Sequence, residues 1–189
     1  MAAPVKRLLR LAAAALMISG GLSVRISAQN ASAPALKAAF LVNFAKFAEW
    51  PAGTLAPDGA ISFCVVGEMR VADALDALVK SHPLGDRRMV VQRVKADGGV
   101  RDCHVLYVQG LGTKPSLDLL QLLKGAPVFT VGDEESFAES GGVAAFFIDG
   151  SKMRFAVNLQ SAQRAHVQLS SRLLALAKIV KDGPNVVQH

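Results

Sequence analysis

The residues best suited to ligand chemistry form the loop Gly110-Leu-Gly-Thr-Lys114, which precedes a predicted helix. The loop is expected at the carboxyl end of a parallel strand, where sheets of this kind bind ligands. Backbone N–H groups, the Thr113 hydroxyl, the Lys114 ammonium and a helix N-terminus would together suit an anion. An ordinary turn between a strand and a helix has the same composition, so a structural turn remains the alternative. The ligand-binding hypothesis covers Gly110, Gly112, Thr113 and Lys114.

The sequence carries no recognisable catalytic motif. A GxSxG nucleophile elbow, an HExxH zinc motif, a Walker phosphate loop and a DxDxDG calcium loop are all absent. Apart from the neighbours Cys103 and His104, no histidine has a partner at catalytic or metal-ligand spacing, and a structural role is the simpler interpretation for each. The four histidines are His82, His104, His166 and His189. The sequence therefore predicts a protein that is not an enzyme and uses no cofactor or metal.

The first 28 residues have the organisation of a secretory signal peptide. Three basic residues precede the apolar run 11–18, and a small residue, Ala28, stands at a plausible cleavage site. An uncleaved membrane anchor is the alternative. The apolar run is too short to span a bilayer comfortably, however, and the residues after it include glycines and Arg25. The sequence therefore predicts export by a cleavable signal peptide.

This segment also accounts for most of the positive charge. The chain has a formal net charge of +6, and four of its 21 basic residues lie in the first 28, together with none of its 15 acidic residues. The exported remainder is therefore near +2, and the basic isoelectric point does not argue for nucleic-acid binding. A remainder of about 160 residues is enough for one domain with a proper core.

The chain has two cysteines, Cys64 and Cys103. In a chain exported to an oxidising compartment, a disulfide is the expected state of such a pair. Neither a CxxC motif nor a set of histidine ligands accompanies them. Redox catalysis and metal binding are therefore the weaker alternatives.

The segment 36–50, followed by Pro51, predicts a helix with a wide aromatic face. The large side chains that recur at helical spacing are Leu36, Phe40, Phe44 and Phe47. Proline cannot continue the helix, so it is expected to end there. Asn43 is expected within the apolar face, where its amide needs a hydrogen-bond partner such as neighbouring backbone.

Beyond this helix, apolar runs typical of strands alternate with amphipathic helical segments. Strands are predicted at 61–66, 88–94, 103–108, 127–131, 143–148 and 152–158, and helices at 71–79, 116–124, 134–139 and 159–181. Asp133 is expected to cap the helix at 134–139, and the turn at 149–151 to form a hairpin. The pattern predicts an α/β fold: a single three-layer domain over residues 35–181, with a mainly parallel sheet and an antiparallel hairpin near the C-terminus.

Arg154 and Asn158 are predicted to project from the outer face of the strand 152–158. Solvated side chains are the simpler interpretation. The alternative is that the two residues form a surface for a protein partner or for a homodimer.

Taken together, these elements resemble the YfiR family of periplasmic proteins over about residues 35–180. The segments that carry the resemblance are 37–51, 63–67, 103–107, 130–133, 154–159 and 170–178. Each segment alone is weakly specific. Their order and spacing make the chain similar to this family as a whole.

The resemblance implies a small periplasmic α/β domain without enzymatic activity. It also implies a repressor that binds the periplasmic domain of an inner-membrane diguanylate cyclase, restraining cyclic di-GMP synthesis and biofilm formation. A small-ligand module that binds anions is the alternative function. Cys64 and Cys103 stand where the family carries a disulfide. The chain lacks a second cysteine pair found in some members, and it has Ala156 where an acidic residue is common, so a charged partner contact is expected to be missing there.

Overall fold

The computed structural model describes residues 33–55, 59–81, 87–184 and 186. The predicted signal peptide (residues 1–28), His82 and His189 lie outside the described residues. In chain order the elements are α1 (Ala33–Phe47), β1 (Ala48–Glu49), β2 (Ile61–Val66), α2 (Met69–Ser81), β3 (Met89–Arg93), a short 3₁₀ helix (Val100–Asp102), β4 (Val105–Val108), α3 (Thr113–Leu122), β5 (Phe129–Gly132), α4 (Glu135–Glu139), β6 (Ala144–Asp149), β7 (Lys152–Asn158), α5 (Leu159–Arg164), β8 (Gln168–Leu169), α6 (Ser171–Leu174) and β9 (Lys178–Val180).

Helix α1 presents its aromatic face to the sheet. Phe44 is completely buried, and its ring centroid lies 5.3 Å from that of Phe129, 5.8 Å from Phe146 and 5.0 Å from Phe155. Asn43 is exposed, so its predicted place in the apolar face is wrong. The buried stripe includes Leu41, and a residue two positions further along a helix faces away from it.

The main sheet has seven strands in the order β3-β2-β4-β5-β6-β7-β9. Strands β3, β2, β4, β5 and β6 are all parallel, β7 runs antiparallel to β6, and β9 runs parallel to β7. Phe146 pairs with Phe155 across the hairpin of β6 and β7. The predicted mainly parallel sheet with an antiparallel hairpin near the C-terminus is confirmed.

Helices cover both faces of the sheet. One apolar core joins α1, α2, α5 and α6 to one face, and the other joins α3, α4 and the 3₁₀ helix to the opposite face. Within β2 the side chains alternate between them, with Phe63 and Val65 in the first core and Cys64 and Val66 in the second. Among the described residues, no helix is both long and apolar enough to cross a membrane.

The long C-terminal helix predicted over 159–181 is wrong. The chain forms α5, β8, α6 and β9 there, because His166 takes a positive φ of 54° just after α5 and Ser170 starts a new helix by accepting a hydrogen bond from the N–H of Leu173. The apolar residues that are spaced as on one helix belong to different elements, since Leu173 is buried in α6 and Val180 is buried in β9. A second, two-stranded sheet forms where β8 pairs antiparallel with β1.

Candidate functional site

Three polar side chains bond to one another where the parallel strands end. The Lys37 ammonium, from the first turns of α1, donates to Asp133 Oδ2 at 2.6 Å and to the Tyr107 hydroxyl at 3.2 Å. The Tyr107 hydroxyl donates to Asp133 Oδ1 at 2.9 Å. Asp133 directly follows β5, and Tyr107 lies within the neighbouring strand β4. The cluster of Lys37, Tyr107 and Asp133 therefore ties α1 to the carboxyl edge of the sheet.

The Tyr107 hydroxyl stays protonated in this cluster. Burial, together with the Asp133 carboxylate beside it, raises the pKa of Tyr107 far above its usual value. A neutral hydroxyl can donate to the carboxylate while it accepts from the ammonium, so all three groups are satisfied. The side chains of Lys37 and Asp133 are only 12% and 18% exposed. The arrangement holds two elements together and places no activated nucleophile at the edge.

A close contact of two loops shapes this edge. The chain passes from β2 through α2 to β3, which lies on one side of β2. Strand β4 then lies on the other side of β2, so the order in which strands are added to the sheet reverses between β2 and β4. Ligands of open parallel sheets usually bind at such a reversal. Here Gly67, with φ of +92°, approaches so closely that a Cβ atom would lie 1.9 Å from the carbonyl oxygen of Gln109. The loops that follow β2 and β4 therefore touch at this reversal.

A cavity of about 360 Å³ lies one strand further along, between the loops that follow β4 and β5. Its apolar lining consists of Val108, Leu111, Leu117 and Phe137, and its polar lining includes Gln109, Thr113, Ser116, Asp133, Glu134, Ser136 and Ser140. The Phe137 ring fits there because Gly132 and Gly142 have no side chains, and a Cβ at either would lie within 2.3 Å of that ring. None of the lining residues is basic.

Part of the loop predicted to bind a ligand lines this cavity. Gly110 and Thr113 line it, whereas Gly112 precedes α3 and is not part of the lining. Lys114 is also outside it: its side chain is 84% exposed, and its ammonium binds Asp118 at 2.9 Å. Lys114, the cation of the anion hypothesis, is therefore not part of this cavity. The binding role of these residues remains a prediction.

The structure separates the two residues predicted to form a partner surface. Arg154 is exposed and pairs with Asp149 on the same hairpin at 2.8 Å. Asn158 is completely buried, so its predicted outward position is wrong. The reason is that the face of β7 that carries Asn158 packs under α4, whose Ala138 lies in the same core as Ala156. Ala156 is also completely buried, so the charged contact expected to be missing there does not belong to a surface position.

Asn158 instead connects three segments. Its amide nitrogen donates to the carbonyl of Ala138 at 2.8 Å and to Asp182 Oδ1 at 2.7 Å, and its Oδ1 caps α5 by accepting from the N–H of Ser161 at 3.1 Å. The guanidinium of Arg164, and after it the Asn158 amide, hold the pKa of Asp182 below its usual value. Asn158 is therefore a structural residue that joins β7 to α4, α5 and the chain after β9.

Replacing Asn158 with alanine is expected to lower the free energy of unfolding by about 2 kcal/mol, because a helix cap, one buried hydrogen bond and one partly buried hydrogen bond are lost. Urea denaturation of the purified exported protein measures the change. Asn43→Ala is the matched control, since the same amide is removed from an exposed site, where a change within about 0.5 kcal/mol is expected. Equal effects of the two substitutions would contradict the structural role of Asn158.

The two cysteines form a disulfide that joins Cys64 in β2 to Cys103, just before β4, with the Cα atoms 5.8 Å apart. Both residues lie in the core under α3 and α4. The next residue, His104, accepts a hydrogen bond at Nδ1 from the N–H of Ser62 and packs edge-on against the ring of Trp50. Burial lowers the pKa of His104, which favours the neutral ring. The disulfide and the His104 side chain therefore each link the neighbouring strands β2 and β4.

A family model described as YfiR/HmsC-like matches residues 34–178, which include α1, the whole main sheet up to the start of β9, and the disulfide. The chain belongs to the YfiR/HmsC-like family. The resemblance noted in the sequence is thereby confirmed. No curated protein matches the chain.

This YfiR/HmsC-like chain is similar to solved structures at low sequence identity. A conserved domain protein from Vibrio cholerae O1 is 15% identical, with a TM-score of 0.52 over 79% of this chain and 60% of that one. An ABC domain from Streptococcus pneumoniae, in complex with L-Trp, is 12% identical, with a TM-score of 0.49 over 78% of this chain and 60% of that one. The chain thus spans 60% of the length of each. The first likeness shows the fold alone, and the second carries no further argument.

Membership places the chain in a regulatory family. YfiR/HmsC-like proteins are periplasmic regulators in cyclic di-GMP signalling and are not known as enzymes. The Cys64–Cys103 disulfide fits the oxidising periplasm. No cluster of three or more metal-ligating side chains occurs in the part of the chain that the structure describes.

Sequence reasoning missed the cluster of Lys37, Tyr107 and Asp133, although all three residues lie in segments that carry the resemblance to YfiR/HmsC-like proteins. Asp133 was predicted to cap α4, which is wrong: Glu134 occupies the cap position, and no side chain makes a capping bond there. A usable signal was present. Lys37 stands four residues before Leu41 on the buried stripe of α1, and Asp133 follows a buried strand next to the one that contains Tyr107.

Proposed function

We propose that this protein binds the periplasmic sensor domain of a membrane-bound diguanylate cyclase. By this contact it restrains the synthesis of cyclic di-GMP and, with it, biofilm formation. The observation that carries the proposal is the YfiR/HmsC-like match over residues 34–178. A regulator that acts by contact requires an exposed surface suited to a protein partner, and the end of the sheet that carries the hairpin offers one.

The two most exposed large apolar side chains among the described residues lie at this end. Leu176 is 73% exposed and Ile148 is 65% exposed. Ile148 is next to the turn between β6 and β7, one residue along from the pair formed by Phe147 and Arg154. Because Ala156 of β7 pairs with Lys178 of β9 in parallel, the chain before Lys178, including Leu176, lies towards the same end.

These residues have the composition typical of protein interfaces. Apolar side chains supply the area that becomes buried, and arginine is enriched at contacts while lysine is depleted. Arg154 is held by Asp149 in a surface ion pair, which costs little to rearrange because such pairs contribute about 0–1 kcal/mol. We therefore assign the cyclase contact to a hairpin surface at this end of the sheet, formed by Ile148 and Leu176 and extended around the end of the hairpin by Arg154, whose side chain lies on the face opposite to Ile148.

A charge placed in this surface tests the assignment. Ile148→Asp is expected to weaken binding to the purified periplasmic domain of the cyclase at least tenfold, since central interface residues contribute about 2 kcal/mol or more. Arg154→Ala is expected to weaken it less. Leu122→Asp is the matched control: Leu122 is 44% exposed and belongs to α3, on another part of the molecule. Isothermal titration calorimetry gives the three affinities.

The same variants connect binding with signalling in the cell. Deleting the gene should raise cellular cyclic di-GMP and biofilm, and Ile148→Asp should reproduce the deletion while Leu122→Asp complements it. A pull-down from solubilised membranes, with the exported protein as bait, identifies the cyclase by mass spectrometry. Unchanged cyclic di-GMP in the deletion strain would contradict the cyclase proposal directly.

A further inference from the structure

The cavity between the loops after β4 and β5 has the size of a small-molecule site. Its volume of about 360 Å³ falls within the range of about 300–1,000 Å³ that is usual for ligand pockets. It lies at the carboxyl edge of a parallel sheet, the edge at which such sheets place their ligands. Position and size alone do not identify a ligand, so the class of ligand is inferred from the chemistry of the lining residues.

The charge of the lining is negative. Asp133 and Glu134 are the acidic residues of the lining, and no basic residue lines the cavity. The Lys37 ammonium, which reaches Asp133 from α1, already compensates the charge of that carboxylate. Among the described residues, the Glu134 carboxylate has neither an ion pair nor a hydrogen bond. A bound cation would therefore neutralise the Glu134 carboxylate, which no other group in the described part of the chain compensates. An anion would instead be repelled by it.

The remaining lining has two sides of different chemistry. The hydroxyls of Thr113, Ser136 and Ser140 make no hydrogen bonds within the part of the chain that the structure describes, so they are free to accept from a donor. Leu117 and Phe137 provide apolar surface, and Phe137 is fixed in place between Gly132 and Gly142. An ammonium has three N–H donors and no acceptor, which suits a cavity whose lining includes a carboxylate and three hydroxyls without partners among the described residues.

We propose that this cavity binds a small primary amine that carries an apolar group, with the ammonium beside Glu134 and the hydroxyls and the apolar group against Leu117 and Phe137. This amine site is separate from the hairpin surface of Ile148, Arg154 and Leu176. It goes beyond the proposed function and does not depend on it, because ligand binding is measured on the isolated protein without a cyclase.

Three probes test the chemistry of the site on the exported protein. Phenethylamine has both the ammonium and the apolar group, 3-phenylpropionate replaces the ammonium with a carboxylate, and ethanolamine keeps the ammonium but lacks the apolar group. Calorimetry and NMR titration should show that phenethylamine binds and shifts the resonances of Glu134 and Phe137. Each of the other two probes should bind at least tenfold more weakly.

Glu134→Gln is the decisive variant, because it removes the charge and preserves the shape. Glu134 is exposed and its side chain makes no capping bond to α4, so the variant is expected to fold. It should weaken phenethylamine binding about two- to fivefold, the effect of an exposed charge pair. Asp97→Asn, the same loss of charge at an exposed loop residue away from the cavity, should leave the affinity unchanged.

Several outcomes would overturn the proposal. They are the absence of phenethylamine binding, equal binding of 3-phenylpropionate, and an affinity that Glu134→Gln and Asp97→Asn change to the same extent. Because no cyclase takes part, any of these results leaves the proposed regulatory function standing. Loss of the cyclase contact in the cell would, in turn, leave the amine site intact.

Discussion

Replacing either Cys64 or Cys103 with serine is expected to lower the free energy of unfolding by about 2–5 kcal/mol, the usual range for a native disulfide in a small secreted domain. The bridge joins residues that are 39 apart in the chain. In the chain-entropy model, closing a loop of that length contributes about 4 kcal/mol by restricting the unfolded chain. Each substitution also places a hydroxyl in an apolar core, since Cys64 and Cys103 are 1% and 3% exposed.

Urea denaturation of the oxidised protein, the reduced protein and the two serine variants gives the comparison. The double variant with alanine at both positions is the matched control: it removes the bridge without burying a hydroxyl or leaving a free thiol, so it should unfold more easily than the oxidised protein and less easily than the serine variants. Alkylation of the exported protein under denaturing, non-reducing conditions reports the bridge itself. Two readily labelled cysteines per chain would contradict its presence in the periplasm.

Removing one partner of the ion pair between Lys37 and Asp133 is the other change with a large expected effect. Breaking a buried pair usually costs about 3–5 kcal/mol, because the remaining charge stays buried and uncompensated. The two side chains are 12% and 18% exposed, so we expect about 2–3 kcal/mol for Lys37→Met or Asp133→Ala. The combined variant Lys37→Met/Asp133→Ala should recover part of this loss, because no unpaired charge remains.

A double-mutant cycle in urea isolates the interaction energy of the pair. The pair of Lys114 and Asp118 is the matched control within the same chain. It has a similar separation of 2.9 Å, but its side chains are 84% and 66% exposed, and helical pairs of this kind contribute about 0.3–0.5 kcal/mol. A coupling energy for Lys37 and Asp133 no larger than that of the control would contradict the role of the pair in anchoring α1.

The sequence was sufficient to predict the central architecture, because the side chains of each strand and of α1 repeat at the period of the element they form. Continuous apolar runs such as that of β2 identify strands covered on both faces, and the turn at 149–151 identified the hairpin. The C-terminal segment misled the same reasoning. Leu173 and Val180 are spaced as on a helix, but one packs in α6 and the other in β9, where a strand completes the sheet beside β7.

The candidate sites were harder to predict, because a polar side chain does not reveal its partner in the sequence. Asp133 and Asn158 both stand just before a helix, where an acid or amide usually caps it. Asn158 does cap α5, whereas Asp133 turns to Lys37, which lies far away in the chain. Likewise, Lys114 lies in the loop predicted to bind a ligand, but its ammonium forms an ion pair with Asp118, one turn further along α3. Only tertiary structure distinguishes these outcomes.

The small sheet of β1 and β8 has a consequence for how the protein matures. A chain emerges from the ribosome, and from an export channel, with its N-terminal end first. Yet Ala48 pairs with Leu169, and Phe44 packs against rings of β5, β6 and β7. Helix α1 is therefore among the first elements to leave the channel. Although α2 can pack against it early, its aromatic face is covered only after β5, β6 and β7 have followed. During that interval the nascent chain offers periplasmic chaperones and proteases an exposed apolar helix.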